Sequence, residues 1–242
     1  MKLFLPKYPA ILKLLYPERL SRIASEDAIY LTFDDGPITE VTPWVLEKLA
    51  KFNAKATFFC IGDNVKKHPH IFQRIFAEGH AIGNHTCNHL NGWKTPTSEY
   101  MANIHQAENI FLQNEIENTK EENPTSKART SNSELSTTNH ELQTPNYELF
   151  RPPYGKIKNS QAKALKKQGY HIVMWDVISG DYDKDFSAEN CFQNVTKNAS
   201  AGSIIVLHDS KKAFKNLKIL LPKLLKYYSE KGLEFRSLKD AL

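Results

Sequence analysis

Ala28-Ile29-Tyr30-Leu31-Thr32-Phe33-Asp34-Asp35-Gly36-Pro37 is an apolar run that stops abruptly at two carboxylates and a Gly-Pro turn. Ala28–Phe33 reads as a buried strand, and Gly36-Pro37 ends it. Working outward, Ala56–Ile61, Ala81–Ile82, Tyr170–Trp175, Ser203–Leu207 and Glu234–Phe235 are further strand candidates, with Leu149–Phe150 weaker. Amphipathic stretches lie between them: Thr42–Phe52, His70–Glu78, Thr97–Leu112, Ser160–Gln168, Ala188–Ala199 and Ala213–Glu230. Strand followed by helix, repeated, means a parallel sheet with helical crossovers. About seven units suit a closed or nearly closed barrel. Gly79, Gly169 and Gly232 stand where helix C-caps belong, and Ser187 and Thr97 where N-caps belong.

The 242 residues are 40% hydrophobic, enough for one sizeable core. Residues 1–27 are expected to pack on a barrel of residues 28–242. Lys and Arg number 32 against 27 Asp and Glu, a net charge of +5. No basic stretch interleaves with aromatics, so nucleic acid is not expected as a partner. The lysines between Lys211 and Lys226 read as a solvated helix face. Three scattered cysteines do not make a disulfide framework, and Cys60 reads as a small buried hydrophobe. Pro6, Lys7, Pro9 and Lys13 interrupt the N-terminus, whereas a signal peptide needs about 7–15 apolar residues. No stretch reaches the roughly 18 apolar residues of a membrane span. The expectation is a soluble monomer, cytoplasmic by default, with a cell-wall-facing location left open.

From about 114 to 146 the rhythm breaks. The segment is rich in Asn, Thr, Ser and Glu and carries a seven-residue echo beginning at Asn132, Asn139 and Asn146. One dependable Leu per echo is too few for a coiled coil. A disordered polar insertion is expected here, removable without loss of the fold.

Four polar clusters follow strand candidates: Thr32–Pro37, His85-Thr86-Cys87-Asn88-His89, Arg151-Pro152-Pro153-Tyr154-Gly155 and Leu207-His208-Asp209. In a parallel barrel the C-terminal strand ends share one face, so the clusters converge on one cleft. His85 and His89, four apart, would face one side of a helical turn and reach one ion. Alone they read more readily as two surface histidines in a loop. An added carboxylate gives a site with coordination positions left open for water or substrate. Asp34 and Asp35 are adjacent in an extended strand, point to opposite faces, and need not do the same work. Cys87, two residues from His85, should point away from such an ion. Of Trp93, Trp175, Tyr154 and Tyr182, only Tyr154 and Tyr182 are expected to line the cleft.

Thr32–Pro37, His85–His89, Arg151–Gly155, Trp175–Tyr182 and Val206–His208, in this order, resemble the five motifs of the polysaccharide deacetylase family, also called NodB-like or carbohydrate esterase family 4. The resemblance runs from about Ile29 to the C-terminus, interrupted by the insertion. It implies a deformed, seven-stranded (β/α) barrel and a divalent metal, zinc before cobalt, held by Asp35, His85 and His89. Asp34 would be the general base, held in place by Arg151. The Tyr154 backbone N–H would help bind the oxyanion, and His208, tuned by Asp181, would be the general acid. Pro153, Tyr182 and Leu207 would line the substrate site. The implied activity is removal of N-acetyl groups from a GlcNAc-containing glycan of peptidoglycan or chitin type. Deacetylation of O-acetyl groups, or of small or lipid-linked sugars, is the alternative. An inactive glycan-binding barrel is the reading from another class, and the complete set of polar residues argues against it. Tyr182 stands where the family pattern usually has Trp.

Overall fold

The computed structural model describes residues 6–121 and 147–242, with side chains up to Asn114 before the break. In chain order the elements are α1 (Ala10–Leu15), β1 (Ala28–Asp34), α2 (Thr42–Ala50), β2 (Thr57–Cys60), α3 (Gly62–Lys67), α4 (Pro69–Ala77), β3 (Ala81–Asn84), α5 (Thr97–Glu121), β4 (Leu149–Phe150), α6 (Asn159–Lys167), β5 (His171–Ile172), β6 (Val177–Ile178), α7 (Ala188–Asn198), β7 (Ile204–His208), α8 (Phe214–Glu230) and β8 (Glu234–Phe235). All named strand pairs are parallel, in the order β5-β4-β3-β2-β1-β7-β6, and β8 pairs with the first two residues of β1. Seven strands thus curl into a deformed (β/α) barrel.

β1 is buried along its whole length, and its alternation separates two environments. Ile29, Leu31 and Phe33 join the apolar layer beneath the helices, with Phe33 stacked on Phe58 at 5.1 Å. Ala28 and Tyr30 face the barrel interior with Phe59, Leu149, Val173 and Ile204. The same period carries Thr32 and Asp34 onto the interior side, so a polar pair stands at the top of an otherwise apolar barrel.

β5 and β6 are the two ends of the sheet, and only residues 173–176 connect them. The gap is closed by the chain before β1. Leu20 N–H donates to Ile172 and Leu20 C=O accepts from Met174, while Ile178 N–H donates to Pro6. Lys7 bridges Val177 and Arg22 bridges Ser203. Asp176, 2% exposed, accepts hydrogen bonds from Lys13 Nζ (2.9 Å), Arg22 Nη1 (2.8 Å) and Ser203 Oγ (2.8 Å).

Several expectations are revised. The strand expected over Tyr170–Trp175 is two residues long, because the chain leaves the sheet to cross the seam. β6, α1 and α3 are too short for periodicity to reveal. Helix α5 runs to Glu121, beyond the expected stop at Leu112. Residues 122–146, including the first two copies of the seven-residue echo, lie outside the described residues. Ser187 caps α7 by accepting from Asn190 N–H at 3.1 Å, as expected. Thr97 is instead the first residue of α5, and its hydroxyl bonds Ser160 Oγ at 2.8 Å. Gly79, Gly169 and Gly232 follow α4, α6 and α8 with positive φ.

Burial raises the Asp176 carboxyl, but Lys13 and Ser203 outweigh it and hold it below the usual carboxylate value. A depressed folded-state pKa stabilises above the unfolded value and is lost as pH falls through the folded one. Asp176→Asn should therefore cost about 2 kcal/mol at neutral pH; Lys13 and Arg22 remain partly in water, which keeps the cost below that of a fully buried pair. Urea unfolding checks this: the deficit should shrink below about pH 4, where the wild-type carboxyl is also being protonated.

Candidate active site

At the C-terminal ends of the strands a cleft of about 790 Å³ is lined by Asp34, Asp35, His85, His89, Arg151, Pro152, Tyr154, Gly155, Lys156, Trp175, Ile178, Tyr182, Val206, His208, Ser210 and Lys212. The register explains the convergence. Asp34 pairs with His208 across β1 and β7, and Asn84, just before His85, pairs with Phe150, just before Arg151.

Arg151, 1% exposed, donates from Nη1 to Asp34 Oδ1 and to Thr32 Oγ1, both at 2.7 Å. Its Nη2 donates to Met174 C=O at 2.9 Å, and its guanidinium carbon lies 4.1 Å from the centre of the Phe59 ring. Burial lowers its pKa, which the Asp34 carboxylate opposes; a guanidinium remains charged regardless. The bond to Oδ1 aligns Asp34 and leaves Oδ2 without a hydrogen bond among the described residues.

Asp35, His85 and His89 bring one ligand atom each within 4.8 Å of one another. Asp35 Oδ1 lies 3.3 Å from His89 Nε2 and 3.9 Å from His85 Nε2. Tetrahedral zinc with bonds of about 2.0–2.1 Å sets its ligand atoms about 3.4 Å apart, so the donor set fits such an ion after small closure. His85 Nδ1 lies 2.8 Å from Arg151 C=O. A carbonyl only accepts, so Nδ1 carries the proton and the Nε2 lone pair faces Asp35. Burial pushes the His85 pKa down to about 4, which keeps it neutral and able to ligate. Burial also opposes ionisation of Asp35, but the hydrogen bond from His89 and the charge of His208 hold it well below the usual carboxylate value.

The helical turn expected over His85–His89 is absent. Asp35, Thr86 and His89 adopt left-handed φ of 82°, 67° and 58°, and these turns aim the side chains inward. Neighbours hold the turns. Thr86 and Cys87 carbonyls accept from Gly62 and Asp63 N–H, Cys87 N–H donates to Asn103 Oδ1, and Asn64 Nδ2 donates to Asp35 C=O. Gly36 packs against Asp209, where an added Cβ would come within 2.0 Å of the carboxylate. Asp209 in turn accepts from Gly36 N–H and Thr42 Oγ1. Burial, with the Asp35 charge adding to it, pushes Asp209 up to about 7 against the lowering bond from Thr42. The Cys87 thiol turns toward Asp63 Oδ1 at 3.7 Å and is not part of the donor cluster.

Across the cleft, His208 Nδ1 lies 2.8 Å from Asp181 Oδ1, and the other Asp181 oxygen accepts from the His208 backbone N–H. Burial disfavours imidazolium, but the Asp181 charge and hydrogen bond prevail and raise His208 to about 9. Tyr154 sits at φ 60°, its N–H makes no hydrogen bond among the described residues, and its ring meets His89 edge-on at 4.5 Å.

Some expected positions shift. Leu207 is fully buried in the helix-side layer, because strand alternation sends Val206 and His208, not Leu207, to the interior. Pro152 rather than Pro153 lines the cleft, and Trp175 lines it beside Tyr154 and Tyr182; Trp93 does not. Thr32 and Asp209 went unassigned in the sequence. Thr32 could have been found, since it lies two residues before Asp34 on the same strand face.

The family model described as polysaccharide deacetylase matches residues 21–173. Two peptidoglycan-N-acetylglucosamine deacetylases of Bacillus cereus are similar to this chain. One is 35% identical over 75% of the chain and 56% of its own length. The other is 32% identical over 90% of the chain and 89% of its own length. The chain thus spans little more than half of the first relative and most of the second. The crystal structure of the Bc1960 peptidoglycan N-acetylglucosamine deacetylase with 4-naphthalen-1-yl-N-oxidanyl-benzamide superposes with a TM-score of 0.77 at 31% identity, covering 97% of each chain.

A histidine whose pKa is raised on folding stabilises fully below its unfolded value, near 6.5, and the contribution fades as pH rises through about 9. An NMR titration of metal-free protein should give a His208 midpoint near 9. In Asp181→Asn the midpoint should fall toward the ordinary histidine range, because burial is then opposed only by the Asp35 and Asp34 charges. An unchanged midpoint would remove Asp181 as the cause.

Proposed function

Since the chain belongs to the polysaccharide deacetylase family, we propose that it is a metal-dependent hydrolase that removes N-acetyl groups from GlcNAc residues of a peptidoglycan- or chitin-type glycan. The observation that carries this reading is the arrangement across one cleft. An aligned carboxylate, Asp34, stands beside a three-residue donor set, and a histidine with a raised pKa, His208, faces them from the neighbouring strand. Asp35, His85 and His89 would hold the divalent cation, with zinc favoured by two imidazoles and one carboxylate. Bound there, the cation supplies Lewis acidity and lowers the pKa of water from about 15.7 toward 7.

The chain's own groups supply the rest. Asp34 Oδ2, which takes no hydrogen bond from the described residues, accepts a proton from the water that attacks the acetyl carbon, while Arg151 fixes the carboxylate plane. The Tyr154 N–H, without a hydrogen-bond partner among the described residues, donates to the oxygen of the acetyl carbonyl as charge develops on it. His208, protonated below about 9 and held by Asp181, donates its Nε2 proton to the departing nitrogen. The C–N bond breaks, leaving acetate and a free amine. Tyr182, edge-on to His208 at 5.0 Å, and Trp175 would border the acetyl group and the sugar. Lys156 and Lys212 line the cleft, so a glycan bearing acidic groups is favoured over a neutral one, which supports peptidoglycan over chitin. A cell-wall-facing site of action follows from that substrate; no described helix is long and apolar enough to cross a membrane.

Acetate release from N-acetylated peptidoglycan fragments and chito-oligosaccharides by zinc-loaded protein tests the reading. Asp34→Asn should retain zinc and lose at least about a thousandfold in kcat, within the range ascribed to general-base catalysis. Retained turnover in that variant would remove Asp34 from its role. His85→Ala should lose stoichiometric zinc by elemental analysis; full zinc content would exclude it as a ligand.

A further inference from the structure

Helix α1 contributes no buried residue, and Ile11, Leu14 and Leu15 are 59%, 77% and 60% exposed. Spaced i, i+3 and i+4, they form one aliphatic ridge, while Leu12 turns inward onto the cluster containing Ala162 and Leu165 of α6. Isolated exposed apolar residues are ordinary; three on one turn make a patch.

The flank of this ridge is predominantly cationic. Tyr16, Glu18 and Arg19 at the end of α1 share a groove of about 410 Å³ with Asn159, Ala162, Lys163, Lys166 and Lys167 of α6. Lys163, Lys166 and Lys167 are exposed and enter no ion pair among the described residues. Glu18 is the only acidic side chain lining the groove. Arg19 is 8% exposed, and its guanidinium carbon lies 3.7 Å from the centre of the Tyr16 ring. Its Nη2 donates to Asn159 Oδ1 at 3.2 Å, and no carboxylate pairs with it among the described residues. A nearly buried cation without a counter-ion, beside three unpaired lysines, favours an external anion.

We propose that α1 and the outer face of α6 form a peripheral docking surface for an anionic lipid bilayer. Ile11, Leu14 and Leu15 enter the headgroup–acyl boundary, and Arg19, Lys163, Lys166 and Lys167 meet the lipid phosphates. An aliphatic ridge bordered by cations fits an interface that is apolar below and anionic above. A second copy fits poorly, because a two-fold contact would set these lysines against each other. A soluble polyanion gives the ridge no role.

Flotation of the full-length chain with vesicles tests the assignment. The protein should bind vesicles of equal parts phosphatidylglycerol and phosphatidylcholine, bind pure phosphatidylcholine at least roughly tenfold more weakly, and release at high salt. Leu14→Asn with Leu15→Asn, and separately Lys163→Gln with Lys166→Gln and Lys167→Gln, should each weaken binding by roughly tenfold or more. Their thermal unfolding midpoints should match wild type, since all five side chains are exposed. Equal binding to both vesicle types, no binding, or variants that bind like wild type would overturn the proposal. So would polyphosphate binding without vesicle binding, or a dimer that the double Asn variant dissolves while vesicles are ignored.

Discussion

A guanidinium sealed inside the top of the barrel is the constraint on which the cleft depends. Arg151 reaches Asp34 and Thr32 on β1 and the Met174 carbonyl on the seam. Its backbone N–H donates to Asn84 on β3, and its carbonyl accepts from His85. One residue therefore aligns the carboxylate proposed as base and fixes the tautomer of a proposed metal ligand. A buried charge is tolerable only when its donors are taken up, and here the partners are the groups that must be held still. Burying it costs solvation; the return is orientation.

The barrel around that residue is incomplete as a sheet and complete as a container. With β5 and β6 joined by four residues and no ladder between them, backbone groups at the seam need partners. The chain before β1 supplies them through Pro6, Leu20 and Arg22, and Asp176 fastens it with charge. Tyr8 of this segment also meets Trp175, part of the cleft wall, edge-on at 5.5 Å. The N-terminal segment thereby acts as barrel wall.

Much of this was legible in the residues. Buried strands and amphipathic helices gave the alternation, and polar clusters at strand ends gave the cleft. What escaped was what lies below the length at which periodicity speaks. Val177–Ile178 is a two-residue strand, and α3 is a six-residue helix. The His85–His89 geometry was misread because spacing implies a helix only where φ is helical, whereas Thr86 and His89 are left-handed. Period-two alternation counted back from His208 sends Val206, not Leu207, into the cleft. The seam could not be anticipated, because its partners are far apart in sequence and carry no pattern of their own.

Four of the five non-glycine residues at positive φ among the described residues, Asp35, Thr86, His89 and Tyr154, belong to or adjoin the cleft. Each such conformation costs on the order of 1 kcal/mol. Glycine would adopt any of them without that penalty, yet at Asp35 and His89 it would strip away a carboxylate and an imidazole of the proposed donor set. Anyone breeding this protein for heat tolerance would meet the same conflict: the backbone sites with the most obvious room for improvement are ones where improvement erases the chemistry. Gains in robustness have to be sought along the seam and the helical shell instead.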